Sequence, residues 1–331
     1  MNRILVMRFR ALGDVLLATP LLRALKRRWP DARLDYLVEE SLAPLLEGSE
    51  DLDRILAWPR RAKPRWLSDL RWAFRLRRER YDMVIDLHGS TASVLFTAFS
   101  RASHRLGYKF RGRHFFYTQK IDRAWPEDLP PAYEPRRHFR LLESLGIEAE
   151  DLDLRLPPRS PSEFLGPADT RRILIAPGAT WSAKAWPAKH YAAIIRELAS
   201  EGSRLYLMGS PGEQDLLRQI AADAPAEILP ATSLETMLDA IAAADLLLCT
   251  DSGSRHVAVA LGTPSLALFG PSDPRVWSPV DPRHPFIHEQ LDCMPCMLTE
   301  CPIEGHPCMN GLTPERVIAR IRQFWIELEG P

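Results

Sequence analysis

The chain has no long apolar segment. No run of about 18 apolar residues occurs in its 331 residues, so the sequence predicts no membrane-spanning helix. The N-terminal segment MNRILVMRFR is basic, but its apolar run is too short for a signal peptide. We therefore expect a cytoplasmic protein.

Two common nucleotide-binding motifs are also missing. No G-x-G-x-x-G follows a predicted strand, and no Walker A motif occurs. These absences argue against a simple NAD-dependent enzyme and against an ATPase. No motif typical of nucleic-acid-binding proteins occurs either, so we expect no nucleic-acid partner.

The overall charge is balanced, with 43 basic and 43 acidic residues, but its distribution is uneven. Residues 54–80 hold ten basic side chains and two acidic ones, interleaved with Trp58, Trp66 and Trp72. Three interpretations are open: a solvated helix face, a nucleic-acid-binding surface, or contact with an anionic membrane surface. Because the rest of the chain shows no nucleic-acid motif, the membrane is favoured over nucleic acid.

Apolar runs alternate with amphipathic stretches along the chain. The composition, 46% hydrophobic and 26% charged, is that of a globular protein, and the length suits two domains. A proline-rich linker is predicted at 155–167. The predicted strands are 3–7, 34–38, 83–87, 172–176, 204–208, 246–249 and 265–269. The predicted helices are 15–29, 67–80, 188–200, 212–223, 234–243, a short one ending near Gly262, and 314–328.

This alternation predicts parallel sheets with right-handed crossovers. A strand–helix series on each side of the linker predicts two such sheets. We therefore expect an α/β fold of two Rossmann-like lobes that face each other across a cleft.

The stretch 250–274 is the most informative one in the chain. Its sequence, TDSGSRHVAVALGTPSLALFGPSDP, predicts a polar turn after a buried strand, then a short helix and a second strand. Ligands bind outside the carboxyl ends of such strands, and helix N-termini attract phosphates. Asp251, Ser252, Gly253 and His256 therefore lie where the phosphates of a nucleotide would sit. The alternative is a capped helix, with Asp251 or Ser252 as the N-cap.

The loop at 8–14 follows the first predicted strand. Gly13 permits a tight turn, and Asp14 stands at the start of the next helix. An aspartate at this position can simply stabilise the helix through its dipole. The same carboxylate, facing an alcohol, can act as a general base. The residues alone leave both roles open.

A similar loop at 177–187 follows the first strand of the second lobe. It contains two hydroxyl side chains, two tryptophans and Lys184. Lys184 can neutralise a phosphate as a point charge, and the alternative is an ordinary surface lysine. Its place between a strand end and a helix start favours the phosphate role.

Four of the five cysteines lie close together in the sequence. Clustered cysteines in a cytosolic protein more often bind metal than form disulfides, and this spacing permits a tetrahedral site. A structural zinc or iron site, disulfide or redox pairing, and free thiols are the three alternatives. The four residues are Cys293, Cys296, Cys301 and Cys308.

Four stretches together resemble one family of enzymes. They are RILVMRFRALGDVLLATPLLRAL at the N-terminus, YDMVIDLHGS at 81–90, ATWSAKAWPAKHY at 179–191 and TDSGSRHVAVALGTPSLALFGPSDPRVWSP at 250–279. Over essentially the whole chain, the sequence is similar to glycosyltransferase family 9, the ADP-heptose:lipopolysaccharide heptosyltransferases. The resemblance implies the GT-B architecture. It also implies transfer of heptose from ADP-heptose to a hydroxyl of the lipopolysaccharide inner core, with inversion and without a catalytic metal.

The resemblance implies roles for single residues as well. Asp14 matches the general base of the family, and Lys184 matches the lysine that holds the donor phosphate. Glu213 lies where a ribose-binding acid is expected. The other implied donor-binding positions are Gly13, Thr180, Asp251, Ser252, Gly253 and His256.

The implied acceptor is a phosphorylated, lipid-linked lipopolysaccharide core. The basic stretch 54–80 then has a use, because it can hold the enzyme at the inner face of the inner membrane. The candidate acceptor or membrane contacts are Arg60, Arg61, Lys63, Arg111, Arg113, Arg137 and His138.

The expected organisation is an acceptor-binding lobe at 1–160, a nucleotide-sugar-binding lobe at 168–312 and a C-terminal helix at 313–331 that could pack on either lobe. ADP-heptose is the expected donor, and no cofactor is expected to be required for catalysis. Two other functions stay open: a GT-B enzyme using another nucleotide sugar or acceptor, and a non-catalytic nucleotide-sugar-binding protein. The core position that receives the sugar and the oligomeric state do not follow from the sequence.

Overall fold

Two compact units make up the chain in the computed structural model. They comprise Met1–Pro157 and Pro158–Pro331. The structure describes residues 1–109, 112, 114–159, 165–166, 169–230 and 233–330. Arg111 and Arg113, two of the predicted acceptor contacts, lie outside the described residues.

The first unit is built on a six-stranded parallel sheet. Its strands are β1 (Arg3–Met7), β2 (Arg33–Glu39), β3 (Arg54–Trp58), β4 (Met83–Asp86), β5 (His104–Tyr108) and β6 (Gln119–Ile121). Its helices are α1 (Leu12–Leu17), α2 (Thr19–Arg28), α3 (Arg65–Glu79), α4 (Thr91–Ser100) and α5 (Glu134–Phe139). The strand order, β3-β2-β1-β4-β5-β6, is that of a Rossmann sheet.

The second unit repeats this plan. Its strands are β7 (Arg172–Ala176), β8 (Arg204–Leu207), β9 (Glu227–Ile228), β10 (Leu246–Thr250), β11 (Ser265–Phe269) and β12 (Phe286–His288). Its helices are α6 (Ala188–Ser200), α7 (Gln214–Ala222), α8 (Leu234–Ala243), α9 (Gly253–Leu261), α10 (Pro274–Trp277), α11 (Pro307–Asn310) and α12 (Pro314–Glu329). The order β12-β11-β10-β7-β8-β9 matches that of the first sheet when it is followed from β9. The predicted α/β fold with two Rossmann-like units is confirmed.

The central strands are buried along most of their length. All five residues of β10 and all five of β11 are buried, as are four of the five in β1 and in β7. Such near-continuous apolar runs are typical of parallel strands, whose two faces are both covered. No helix within the described residues combines the length and the apolar composition that crossing a membrane requires.

The strand order reverses once in each sheet, between β1 and β4 and between β7 and β10. The loops after the carboxyl ends of these strands diverge at that point and leave a crevice, which is where open α/β sheets bind ligands. In this chain the four loops carry Asp14, His88, Lys184 and Asp251. The topology therefore gives each unit one candidate site.

The basic stretch 54–80 is divided between β3 and α3. Trp58, at the end of β3, is 1% exposed and packs on Phe9, with 4.6 Å between the ring centroids. Trp72 is partly buried, whereas Trp66 is 63% exposed. The three tryptophans therefore do not form one surface, because Trp58 belongs to the core.

The C-terminal helix α12 packs on the second unit. Val317, Ile321 and Phe324 are fully buried and share one apolar cluster with Tyr191 and Ile195 of α6. Their spacing of three to four residues places them on one face of the helix. The apolar stripe seen in the sequence is thus the contact with α6.

Replacing Phe324 with alanine should lower the free energy of unfolding of the second unit by about 3–5 kcal/mol, because it leaves a cavity in a closed core. Urea unfolding followed by circular dichroism measures the change. Ile326→Ala is the matched control, since Ile326 is 72% exposed on the same helix, and we expect a change within about 0.5 kcal/mol. Equal effects of the two substitutions would contradict the packing described here.

Candidate functional site

Asp14 lies in the first turn of α1, and both of its carboxylate oxygens are bound. Its Oδ1 is 2.6 Å from Nη2 of Arg8, and its Oδ2 accepts a hydrogen bond from the backbone N–H of Ala11 at 2.9 Å. The second contact is the helix-stabilising role that the sequence left open. The side chain is still 26% exposed, so the carboxylate is also accessible to a substrate.

Arg8 sets the charge state of Asp14. Burial by itself raises the pKa of Asp14, but the Arg8 guanidinium and the Ala11 N–H outweigh it and hold the pKa below its ordinary value. Asp14 is therefore a carboxylate at neutral pH. Arg8 is nearly buried, and its Nη1 donates to the carbonyl of Leu87 at 2.6 Å, so it ties the loop after β1 to the loop after β4.

The sequence did not assign a role to Arg8. Arg8 lies in the same stretch, 8–14, as Asp14, and this proximity in the sequence could have indicated an ion pair between them. Its second partner, Leu87, is 79 residues away and could not be read from the sequence.

Two histidines lie close to Arg8 and Asp14: His138 is buried and His88 is partly buried. His138, one of the predicted acceptor contacts, is 2% exposed, and its Nδ1 shares a hydrogen bond of 2.8 Å with the hydroxyl of Tyr108. Burial, and next the positive charge of Arg8, lower the pKa of His138 to about 3 and that of His88 to about 4. Both imidazoles are neutral at pH 7. A role of His138 in acceptor binding stays a prediction.

The other predicted acceptor contacts have different surroundings. Arg60 pairs with Glu39 at 3.6 Å, and Arg137 pairs with a carboxylate of its own helix at 2.9 Å. Arg61 and Lys63 are exposed just before α3. These residues stay predictions as well.

In the second unit, Lys184 and Asp251 form an ion pair between the loops after β7 and β10. The Nζ of Lys184 is 2.6 Å from Oδ2 of Asp251, and it also donates to the Asp251 carbonyl at 3.3 Å. The ring of Trp181 lies 4.6 Å from the ammonium group. Ser272 donates its hydroxyl to the same Oδ2 at 2.5 Å. The sequence analysis did not predict this contact of Ser272, although the residue lies in the stretch 250–274.

Helix α9 begins at Gly253 with Ser252 in the N-cap position, and none of the described side chains caps it. The hydroxyl of Ser252 bonds to that of Ser254 at 2.9 Å, and the carboxylate of Asp251 faces Lys184. The helix therefore lacks the side-chain cap that was the alternative to a phosphate site. Its first N–H groups keep the polarity that attracts an anion. His256 is 4% exposed within the helix.

Glu213 lies against the loop after β7. Its Oε2 accepts hydrogen bonds from the backbone N–H of Ser210 at 2.7 Å and from the Ser210 hydroxyl at 2.8 Å. A Cβ on Gly178 would lie 1.8 Å from Oε1 of Glu213, so glycine is required for this close approach. Thr180, two residues further along the loop, is exposed. The predicted ribose acid and the predicted phosphate loop are thus neighbours.

The cysteine cluster lies in the second unit, between β12 and the end of α11. Each of the five cysteines is a free thiol. Burial, and then the proximity of the other three thiols in the cluster, raise the pKa of Cys308 to about 11. No group of three or more His, Cys, Asp and Glu side chains among the described residues could hold a metal ion. A zinc or iron site at Cys293, Cys296, Cys301 and Cys308 stays a prediction.

The two neutral histidines make stability depend on pH. In the unfolded chain each imidazole titrates near 6.5, whereas in the folded chain the pKa of His138 is about 3 and that of His88 about 4. Between pH 6.5 and about 4 the unfolded state binds more protons, so the free energy of unfolding falls as the pH falls through this window. His138→Gln should reduce that slope by about 1.4 kcal/mol per pH unit.

Urea unfolding between pH 6.5 and 4 measures the slope. Tyr108→Phe is the control, because it removes the hydrogen-bond partner of His138 without removing a group that titrates in this range. It should lower stability and leave the slope unchanged. A wild-type slope in His138→Gln would show that His138 is not held neutral.

Known proteins resemble this chain in sequence and in fold. The Lipopolysaccharide heptosyltransferase 2 of Salmonella typhimurium is 27% identical over 340 residues, which cover 95% of this chain and 96% of that protein. The structure of ADP-heptose LPS heptosyltransferase II from E. coli superimposes with a TM-score of 0.80 and 25% identity, covering all of both chains. A glycosyltransferase family 9 protein from Veillonella parvula has the same fold, with a TM-score of 0.84, 22% identity and 98% coverage of each chain.

A match to a family model assigns the chain to its family. The model described as "Glycosyltransferase family 9 (heptosyltransferase)" matches residues 70–306, which is well over half of the chain. This match includes the greater part of α3, the loop with Lys184 and the start of α9. The chain therefore belongs to glycosyltransferase family 9, the heptosyltransferase family.

Proposed function

We propose that this heptosyltransferase takes its sugar from ADP-heptose and adds it to a hydroxyl of the lipopolysaccharide inner core. The names of its relatives support the donor and the class of acceptor. The structural observation that carries the proposal is the Lys184–Asp251 pair beside the start of α9. A lysine and a helix N-terminus without a side-chain cap together form a site suited to a diphosphate.

Lys184 is the proposed phosphate ligand. Its ammonium group has three N–H donors, and two of them face the carboxylate and the carbonyl of Asp251. The third can bind a phosphate oxygen. Asp251 is 5% exposed and accepts from Ser272 as well, so we assign it the role of orienting Lys184 rather than that of touching the donor.

The neighbouring groups of the second unit complete the proposed donor site. Ser252, Gly253 and the following N–H groups of α9 would bind the phosphates, with Thr180 on the other side. Glu213 would accept hydrogen bonds from the ribose hydroxyls, because its carboxylate lies against the same loop. Because His256 is buried within α9, we assign it the role of packing beneath the turn at Ser252 and Gly253 rather than that of contacting the donor.

Asp14 is the proposed general base. It would accept the proton of the acceptor hydroxyl as that oxygen attacks the anomeric carbon from the face opposite the diphosphate, which inverts the configuration. Arg8 keeps Asp14 ionised and fixes its orientation. Lys184 and the α9 amides would stabilise the charge that develops on the departing ADP, so no catalytic metal is needed in this mechanism.

We further propose that α3 binds the surface of the membrane that carries the acceptor. Trp66, Leu70 and Phe74 form one stripe at intervals of four residues, and Trp66 and Phe74 are 63% and 51% exposed. Beside them lies an arginine stripe, defined as Arg71, Arg75 and Arg78, whose side chains are exposed. An apolar stripe next to a basic one is the pattern of a helix that lies in an anionic interface.

The base assignment predicts that Asp14→Asn lowers kcat about 10²–10⁴-fold, because the amide cannot accept the proton of the hydroxyl. The affinity for ADP should not change. A coupled assay of ADP release with ADP-heptose and truncated lipid-linked core acceptors gives kcat, and calorimetry gives the ADP affinity. Asp153→Asn, at a side chain that is 78% exposed, is the control and should keep the wild-type rate. Near-normal turnover by Asp14→Asn would refute the base assignment.

The membrane assignment predicts that reversing the arginine stripe to glutamate weakens binding to vesicles of phosphatidylcholine and phosphatidylglycerol by more than about tenfold. Each basic residue near an anionic surface contributes about 1 kcal/mol. Cosedimentation measures the binding, and the KM for lipid acceptor should rise while that for ADP-heptose stays constant. The same three positions changed to lysine form the control. Equal binding by the glutamate and lysine variants would leave α3 an ordinary solvated helix.

A further inference from the structure

The segment that carries Cys301 and Cys308 also contacts the proposed donor-binding loops. We call residues 297–312 the brace segment. Its closest contacts with the Lys184 turn are at Ala183, which is 1% exposed. The N–H of Ala183 donates to the carbonyl of Thr299 at 3.0 Å, and the carbonyl of Ala183 accepts from Nε2 of His306 at 2.9 Å. Both peptide groups of Ala183 are therefore fixed by the brace segment.

The second of these peptide groups leads directly into Lys184. Its carbonyl is held by His306, and its N–H, which belongs to Lys184, donates to the carbonyl of Trp181 at 2.9 Å. A peptide group held at both ends cannot rotate. The imidazole of His306 and the carbonyl of Trp181 thus together restrain the peptide group from which Lys184 follows.

The brace segment reaches the other donor-binding loop as well. The N–H of Met297 donates to the carbonyl of Pro271 at 2.9 Å, and the next residue, Ser272, donates its hydroxyl to Asp251. A Cβ on Gly270 would lie 2.6 Å from the sulfur of Met309, so this loop also packs tightly on the brace segment. Lys184 therefore directly follows a residue that the brace segment holds, and Asp251 is hydrogen-bonded by a residue that follows another.

His306 occupies this position at a cost in backbone energy. Its φ is +45°, in the left-handed region that residues other than glycine seldom adopt, and Gly305 before it has a φ of +79°. Strain of this kind persists where the surrounding structure fixes the residue, and it is concentrated at functional sites. The turn aims Nε2 at the Ala183 carbonyl, and because a carbonyl only accepts, Nε2 carries the proton.

We propose that His306 is a positioning residue for the donor-binding lysine and that it acts through the carbonyl of Ala183. This inference rests on the proposed role of Lys184 in donor binding. His306 touches neither substrate in this scheme. It keeps Lys184 pointed at Asp251 and at the diphosphate, so that the enzyme binds ADP without first ordering the turn.

The test measures the Kd for ADP by calorimetry on the full chain. His306→Leu should raise the Kd about tenfold, the size expected when one ordering hydrogen bond is lost. His306→Gln should bind within about threefold of the wild type, because its amide N–H can replace the Nε2 donor. Both substitutions carry the same positive φ, so their difference isolates the hydrogen bond. The KM for the lipid acceptor should be the same in all of these variants.

Three further variants test the donor site and the brace segment separately. Lys184→Met removes the phosphate ligand itself and should abolish measurable ADP binding, whereas Lys189→Met, at an exposed lysine of α6, should leave it unchanged. Ser182→Ala removes the hydroxyl that donates to Thr299 at 3.2 Å and should raise the Kd about threefold, which tests the brace segment if His306→Leu does not fold.

The outcomes distinguish the positioning role of His306 from the donor-binding role of Lys184. Wild-type affinity in His306→Leu, or a Kd raised about tenfold in His306→Gln where the leucine variant does not fold, together with loss of binding in Lys184→Met, would overturn the positioning role and leave the donor site intact. Failure of the wild-type protein to bind ADP would remove the donor site and this inference with it. Weak binding by His306→Leu that His306→Gln restores would establish the role.

Discussion

The parallel arrangement of both sheets determines where the polar chemistry of this chain can lie. In the described residues, every neighbouring pair of strands runs parallel. Because both faces of such a sheet are covered, the central strands carry mostly apolar side chains. Polar and charged groups can therefore be exposed to a ligand in the loops that follow the strands. The reversal of strand order in each sheet brings two such loops together, so the fold itself pairs the loop of Asp14 with that of His88, and the loop of Lys184 with that of Asp251.

At both positions a charged side chain that belongs to an ion pair joins the two loops. Arg8 connects Asp14 to the carbonyl of Leu87, and Lys184 connects its loop to Asp251. Taking such charges out of water is unfavourable unless hydrogen bonds compensate, and here each carboxylate accepts a second hydrogen bond. The arrangement is consequently better explained by the need to orient the proposed base and the proposed phosphate ligand than by stability. The brace segment extends the same logic, because it fixes the backbone that carries one of these charges.

The sequence predicted most of the long elements and few of the short ones. The helices at 188–200 and 234–243 and the strands at 172–176 and 265–269 have the predicted limits. The strands β6, β9 and β12 were missed, because two or three residues show no periodicity of their own and are ordered by the neighbouring strand. The strand β5 and the helix α4 were missed as well, although they have 5 and 10 residues. β3 was hidden within the basic stretch, where the surplus of arginines obscured the apolar run that buries Trp58.

The sequence by itself determined the fold class, the family resemblance and the loops that carry Asp14, Lys184 and Asp251, because hydrophobic periodicity and motif spacing are local properties of the chain. The tertiary structure alone decided which groups act on one another. The Arg8–Leu87 bond spans 79 residues, the Lys184–Asp251 pair spans 67, and the bond from His306 to Ala183 spans 123. Contacts at such separations leave no local pattern, since they exist only after the strands have paired and placed their loops side by side.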